Sequence, residues 1–157
     1  MTYEDGEKSK PKGDYVDLVG AYRLVRCELH WSDGEVSLPY GEDPEGLLVY
    51  TSSGHMSGHL MRRGVPAFAG KGRVGTPEET NAAFRGYLGY FGTYSVDKAA
   101  RVVTHHVAGS WYPNWVGTDQ VRYIREDPDN LVIETDPRTA GDRTHRTILV
   151  WRRAEEE

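Results

Sequence analysis

Apolar and polar residues alternate along this chain in short runs, and such alternation sends successive side chains to opposite faces of a β-strand. The pattern predicts strands over Ala21–Leu29, Gly46–Thr51, His55–Met61, Gly92–Val96, Val102–Ala108, Asp119–Glu126, Leu131–Thr135 and Thr144–Arg152. Turn-forming clusters punctuate them: Ser32-Asp33-Gly34, Ser52-Ser53-Gly54, Asp127-Pro128-Asp129-Asn130 and Ala140-Gly141-Asp142. Asp, Asn, Ser, Pro and Gly bend the backbone at little cost, so neighbouring strands are expected to run antiparallel.

One segment breaks the alternation. Thr76 and Glu79 have the spacing of a capping box, and Pro77 falls at the first helical position, where its missing N–H costs nothing. Ala83, Tyr87 and Phe91 recur every four residues with Phe84 and Leu88 beside them, which predicts a helix from Thr76 to Phe91 stopped by Gly92. Gly86 and Gly89 are poor helix formers, and close packing against a sheet is the expected reason for them.

About eight to ten antiparallel strands with a lone helix make an all-β barrel with the helix covering one mouth; a flat sandwich is the competing arrangement. A small barrel has room for its own side chains or for one small ligand. The expected domain spans residues 15–153, with a polar tail over residues 1–14 and a short acidic one over 154–157.

Charge and composition narrow the function. A formal net charge of −5 speaks against binding a phosphate backbone, which needs a basic face, so no nucleic-acid partner is expected. No apolar run approaches the roughly 20 residues that span a bilayer, and the polar first residues lack a signal-peptide core. The expectation is a cytoplasmic protein with no membrane partner. The single cysteine, Cys27, lies mid-strand and reads as a small buried apolar group.

The densest chemistry lies between His105 and Arg122. Trp111, Tyr112 and Trp115 crowd a connection stiffened by Pro113, and large aromatics there are expected to fold over a core or a ligand. His105 and His106 must face opposite ways, and Val103 and Val107 make the His105 face the more apolar. An inward His105 is therefore the candidate general acid or base, with Asp119 positioned to orient it; a packed core histidine is the plain alternative. Tyr40, Tyr50, Tyr87, Tyr90 and Tyr94 offer hydroxyls around an apolar interior, Tyr90 being assigned to the catalytic set with His105 and Asp119. Tyr40, Tyr50, His55, Tyr87, Tyr94, Trp111, Tyr112, Trp115 and Gln120 are the candidate ligand-binding residues. His55 and His59 share a sheet face about 13 Å apart, too far to hold one ion, and no zinc-binding pattern occurs, so no metal is expected. Gly70 to Gly75 has a suggestive glycine spacing but no strand leading into it, so no nucleotide cofactor is expected either.

Several stretches resemble the bacterial lipocalin-like domain family. They are Leu18 to Val25, Pro39 to Tyr50 followed by Gly54-His55-Met56-Ser57, Ala83-Phe84-Arg85-Gly86-Tyr87, Tyr90 to Tyr94, Thr104-His105-His106 and Pro113 to Gln120. Together they are spread over residues 18–120. The resemblance implies a small β-barrel with a central cavity for an apolar molecule, and some related barrels are cofactor-free cyclases of natural-product pathways. It carries over no catalytic residue. The resulting expectation is a barrel that binds a small apolar or amphipathic molecule, leaning toward cofactor-independent cyclisation or isomerisation of a polyketide-like intermediate. A non-catalytic carrier and an interaction module with a filled barrel are the alternatives.

Overall fold

A computed structural model describes residues 17–155. The expected tail over residues 1–14, and the last two residues of the expected tail at the other end, lie outside the described residues. The strands are β1 (Gly20–Trp31), β2 (Val36–Ser37), β3 (Glu45–Tyr50), β4 (His55–Met61), β5 (Tyr87–Asp97), β6 (Val102–Ser110), β7 (Asp119–Arg125), β8 (Leu131–Glu134), β9 (Arg138–Ala140) and β10 (Arg143–Arg153). Helix α1 (Pro77–Arg85) precedes β5, and a 3-10 turn at Pro113–Trp115 sits between β6 and β7.

All strand pairings are antiparallel. β1, β3, β4, β5, β6, β7, β8 and β10 follow one another around the sheet, and β10 returns to pair with β1 from Tyr22↔Arg153 to Trp31↔His145. That last ladder closes an eight-stranded barrel, leaving its strands no free edge. β2 and β9 are short additions to β1 and β10. The turns named above do their local work: at Thr51 to His55 the chain reverses through Gly54 at φ 86°, with Gly54 N–H donating to Thr51 O.

Alternation sets the inside of the barrel. β4 buries Met56, Gly58 and Leu60, and β7 buries Gln120, Arg122 and Ile124. A bulge in β1 between Leu24 and Arg26 shifts the phase, so that Tyr22, Leu24 and Cys27 are all buried in one core with Leu48, Tyr50, Val103, Ile133, Leu149 and Trp151. A second cluster, Val132, Ile148 and Val150 against Val25, lies on the outer face.

The helix is shorter than its apolar spacing predicts. Its start is as expected: Thr76 Oγ1 accepts from Glu79 N–H, and the Glu79 carboxylate accepts from Thr76 N–H. It stops at Gly86, and Tyr87 to Phe91 belong to β5, paired with Met61 to Ser57. Tyr87 and Phe91 stay exposed while Tyr90 and Gly92 are buried, a period of two rather than four. Gly86, Gly89 and Gly92 weaken helix continuation, so the ladder to β4 wins. The glycines are needed for the sheet: at Gly92, opposite a bulge at Ala108 of β6, a side chain would overlap the His106 carbonyl, and at Gly89 it would meet His59. No residue of α1 is buried; the helix reaches the barrel through Phe84, which stacks on Trp111 and accepts a hydrogen bond from its indole N–H.

Candidate functional site

The barrel holds a cavity of about 210 Å³. Its wall is largely aliphatic and aromatic: Cys27, Leu29, Leu48, Leu60, Leu88, Ile133, Leu149 and Trp151, with Pro39, Tyr40, Trp111 and Trp115 among the residues around it. Polar groups enter it at few points, from Tyr90, His105, Arg122, Thr135, Arg138 and Thr147. No Asp or Glu lies among these lining residues.

His105 is the polar centre. It is 1 % exposed, on the inward face of β6 beside Tyr94 of β5 and Gln120 of β7. Both ring nitrogens are engaged by phenols: Tyr50 Oη stands 2.6 Å from Nε2 and Tyr90 Oη 2.7 Å from Nδ1. Burial, with the Arg122 and His106 charges adding to it, holds the imidazole down at about 3, so it is neutral near pH 7. Burial pushes the Tyr50 and Tyr90 hydroxyls up, so both keep their protons. A neutral imidazole has one N–H to give, so one phenol donates to it and the other accepts. The Arg122 cation beside the Tyr90 oxygen favours Tyr90 as the donor, which assigns the histidine proton to Nε2 and makes Tyr50 its acceptor.

Two donors in this interior have no acceptor. Arg122, 5 % exposed, places one N–H on the carbonyl of Val121, while its Nε is buried without a partner. Trp151, 2 % exposed, buries its indole Nε1 in the same condition. Both side chains line the cavity. Arg138 lies at the rim over the Trp115 ring, 5.3 Å from its centroid, and donates to Gln120 Oε1 at 3.3 Å.

The aromatic connection forms one side of the mouth. Trp115 packs edge-on against Tyr90 at 5.5 Å and against Trp111 at 5.4 Å. Tyr112 touches both tryptophans but is exposed and outside the cavity wall. Tyr40 lines the mouth from the loop before β3, where burial pushes its hydroxyl up to about 12.

The expected site residues thus fall into separate places. His105, Tyr90, Tyr40, Trp111 and Trp115 line the cavity, and Tyr50 stands behind His105. Tyr94 is half-buried against Tyr50 and donates to Thr51 O, and buried Gln120 is held by Thr118 and Arg138. Asp119 is a correction: it faces out and bonds His106 Nδ1 at 2.8 Å, because it neighbours inward-facing Gln120 on β7. His55 and Tyr87 also face out, since Met56 and Leu88 beside them take the inner positions; His55 bonds Ser53 and Tyr87 bonds His59. Arg122, Arg138 and Trp151 were not expected. Alternation from Gln120 would have turned Arg122 inward, whereas nothing local marks Trp151 or Arg138 as cavity residues.

Among the described residues no group of three His, Cys, Asp or Glu side chains could hold a metal ion, and no helix is long and apolar enough to cross a membrane. No solved structure matches the chain significantly. A relative from Aspergillus oryzae, named 4'-hydroxy-3'-methoxypropiophenone carrier protein ppsC, is 37% identical over 106 residues, which are 62% of this chain and 96% of the relative. The model of the lipocalin-like domain matches residues 19–154, the whole barrel. The closed antiparallel barrel, its internal cavity and this match together establish that the chain belongs to the lipocalin-like domain family.

Proposed function

We propose that this protein is a carrier for a small aromatic molecule, which it encloses in the barrel and releases unchanged. The carrying observation is the cavity itself, ring-sized and walled by apolar side chains. An apolar cavity of about 150 Å³ suffices for benzene, so about 210 Å³ accommodates a single ring with a short substituent. The aryl ketone for which the Aspergillus oryzae relative is named is a single aromatic ring with short substituents. A long polyketide chain would have to extend through the mouth.

The protonation states favour carriage over catalysis. A general acid or base works best with a pKa near the working pH, whereas His105 is held at about 3 and both its phenol partners are pushed up. Asp119, the carboxylate expected to orient His105, serves His106 on the outer face instead. The open cavity also disfavours an interaction module with a filled barrel.

Trp111, Trp115 and Trp151 all line the cavity, so intrinsic fluorescence reports its occupancy. Titration with 4'-hydroxy-3'-methoxypropiophenone is expected to give saturable quenching at one molecule per chain. The molecule should be recovered chemically unchanged after long incubation. Absence of saturable binding to this and related aryl ketones would remove the proposal, and recovery of an altered product would replace carriage with catalysis.

A further inference from the structure

A guanidinium stays protonated at any ordinary pH, so Arg122 carries its positive charge into the barrel interior. Removing that charge from water is unfavourable unless an anion or a full set of acceptors replaces the lost hydration. Arg122 has no ion-pair partner among the described residues, and the cavity lining contains no carboxylate. Its acceptors are one backbone carbonyl and the neighbourhood of the Tyr90 hydroxyl, and its Nε has none. Trp151 lines the same space, and its buried indole N–H is a second unused donor. Arg138 adds a second cation at the rim. The interior is therefore rich in donors and poor in acceptors, and it carries positive charge with nothing inside to balance it.

We infer that the cavity selects an ionised ligand: a small aryl ring bearing an anionic oxygen that Arg122 and the Trp151 indole receive. The ring occupies the apolar wall, and the oxygen supplies the acceptor that the buried donors lack. A carboxylate and a phenolate share this chemistry. A neutral isostere offers a weaker acceptor and leaves the Arg122 charge uncompensated, so charge-assisted hydrogen bonding gives the anion the advantage. This inference rests on the carrier reading and adds the charge of the cargo to it.

The test compares matched pairs by calorimetry on the full chain at mildly alkaline pH. Benzoate is set against benzamide, and 4-nitrophenolate against its neutral methyl ether. In at least one pair the anion is expected to bind about tenfold or more tighter. The pair that shows it identifies the anion as carboxylate or phenolate. Arg122→Met should bring that ratio toward one. Should this variant fold poorly, Arg138→Met, altered at the exposed rim, is expected to lower the ratio by a smaller factor. Equal affinities within both pairs in the wild-type protein overturn the charge selectivity and leave the carrier reading standing. A preference that persists undiminished in a folded Arg122→Met protein also overturns the inference. Failure of all four probes, together with the aryl ketone, overturns both.

Discussion

The Tyr90 hydroxyl lies 2.7 Å from Nδ1 of His105, deep inside a barrel whose cavity lining holds no carboxylate. With Tyr50 on the other ring nitrogen, the neutral imidazole is satisfied at both nitrogens, and burial, with the Arg122 charge adding to it, opposes a second proton. This makes pH a direct probe of the interior. The folded state holds His105 at about 3, against an ordinary value of 6.5. As pH falls below about 6.5 the unfolded chain takes up a proton that the folded chain refuses, so stability declines toward pH 3. The slope due to this group approaches about 1.4 kcal/mol per pH unit. Chemical denaturation between about pH 7 and pH 5 should show it, and His105→Gln should remove that part of the slope. An equally steep decline in the variant would place the titration elsewhere.

The mouth is tested by its tryptophans. Trp115 touches Tyr90 and Trp111 at once, whereas Trp111 is anchored outward on Phe84. Trp115→Ala should weaken ligand binding by roughly three- to tenfold, chiefly through faster release, and Trp111→Ala by less. Stopped-flow fluorescence separates the two rates. Release rates equal to wild type in both variants would mean that the aromatic connection does not retain the ligand.

Gly92 marks where backbone approaches backbone. A methyl group there would overlap the His106 carbonyl, which is fixed in the sheet. Gly92→Ala is expected to cost about 3 kcal/mol of stability, because a ladder rather than a flexible side chain must give way. A melting temperature within a degree or two of wild type would show that the bulge relaxes freely.

Cys27 should be inert in the native protein. It is 1 % exposed, and burial, with Glu28 adding to it, pushes its thiol up to about 12, so almost no thiolate is present near neutrality. Its reaction with a disulfide reagent is expected to follow global unfolding, accelerating with denaturant in step with loss of tertiary signal. Rapid modification without denaturant would reveal an opening of the barrel wall.

Alternation in single strands made much of this arrangement legible. Val103, His105 and Val107 announce one inward face, and the turn at Ser52-Ser53-Gly54 announces the hairpin of β3 and β4. Where two periods overlap, the local pattern misleads: Tyr87 and Phe91 fit a helical stripe as well as the outer face of β5, and pairing with β4 decides. The alternation that separates His105 from His106 also separates Asp119 from Gln120, and applied there it would have sent Asp119 outward. What no single strand reveals is which distant side chains meet. Arg122 and Trp151 share the cavity because β7, β8 and β10 lie side by side, a fact of sheet order and register.

A ligand received at the unused donors of the barrel interior would be reported by the Trp151 indole N–H resonance. Its proton and nitrogen shifts can be followed in a two-dimensional spectrum, with Trp151→Phe providing the assignment. Saturation with 4-nitrophenolate or benzoate should move this signal markedly as the N–H acquires an acceptor, while the Trp31 indole, already bonded to Ser37 outside the cavity, stays in place. A ligand that binds saturably yet leaves the Trp151 signal unmoved would contradict the claim that the barrel interior is the binding site.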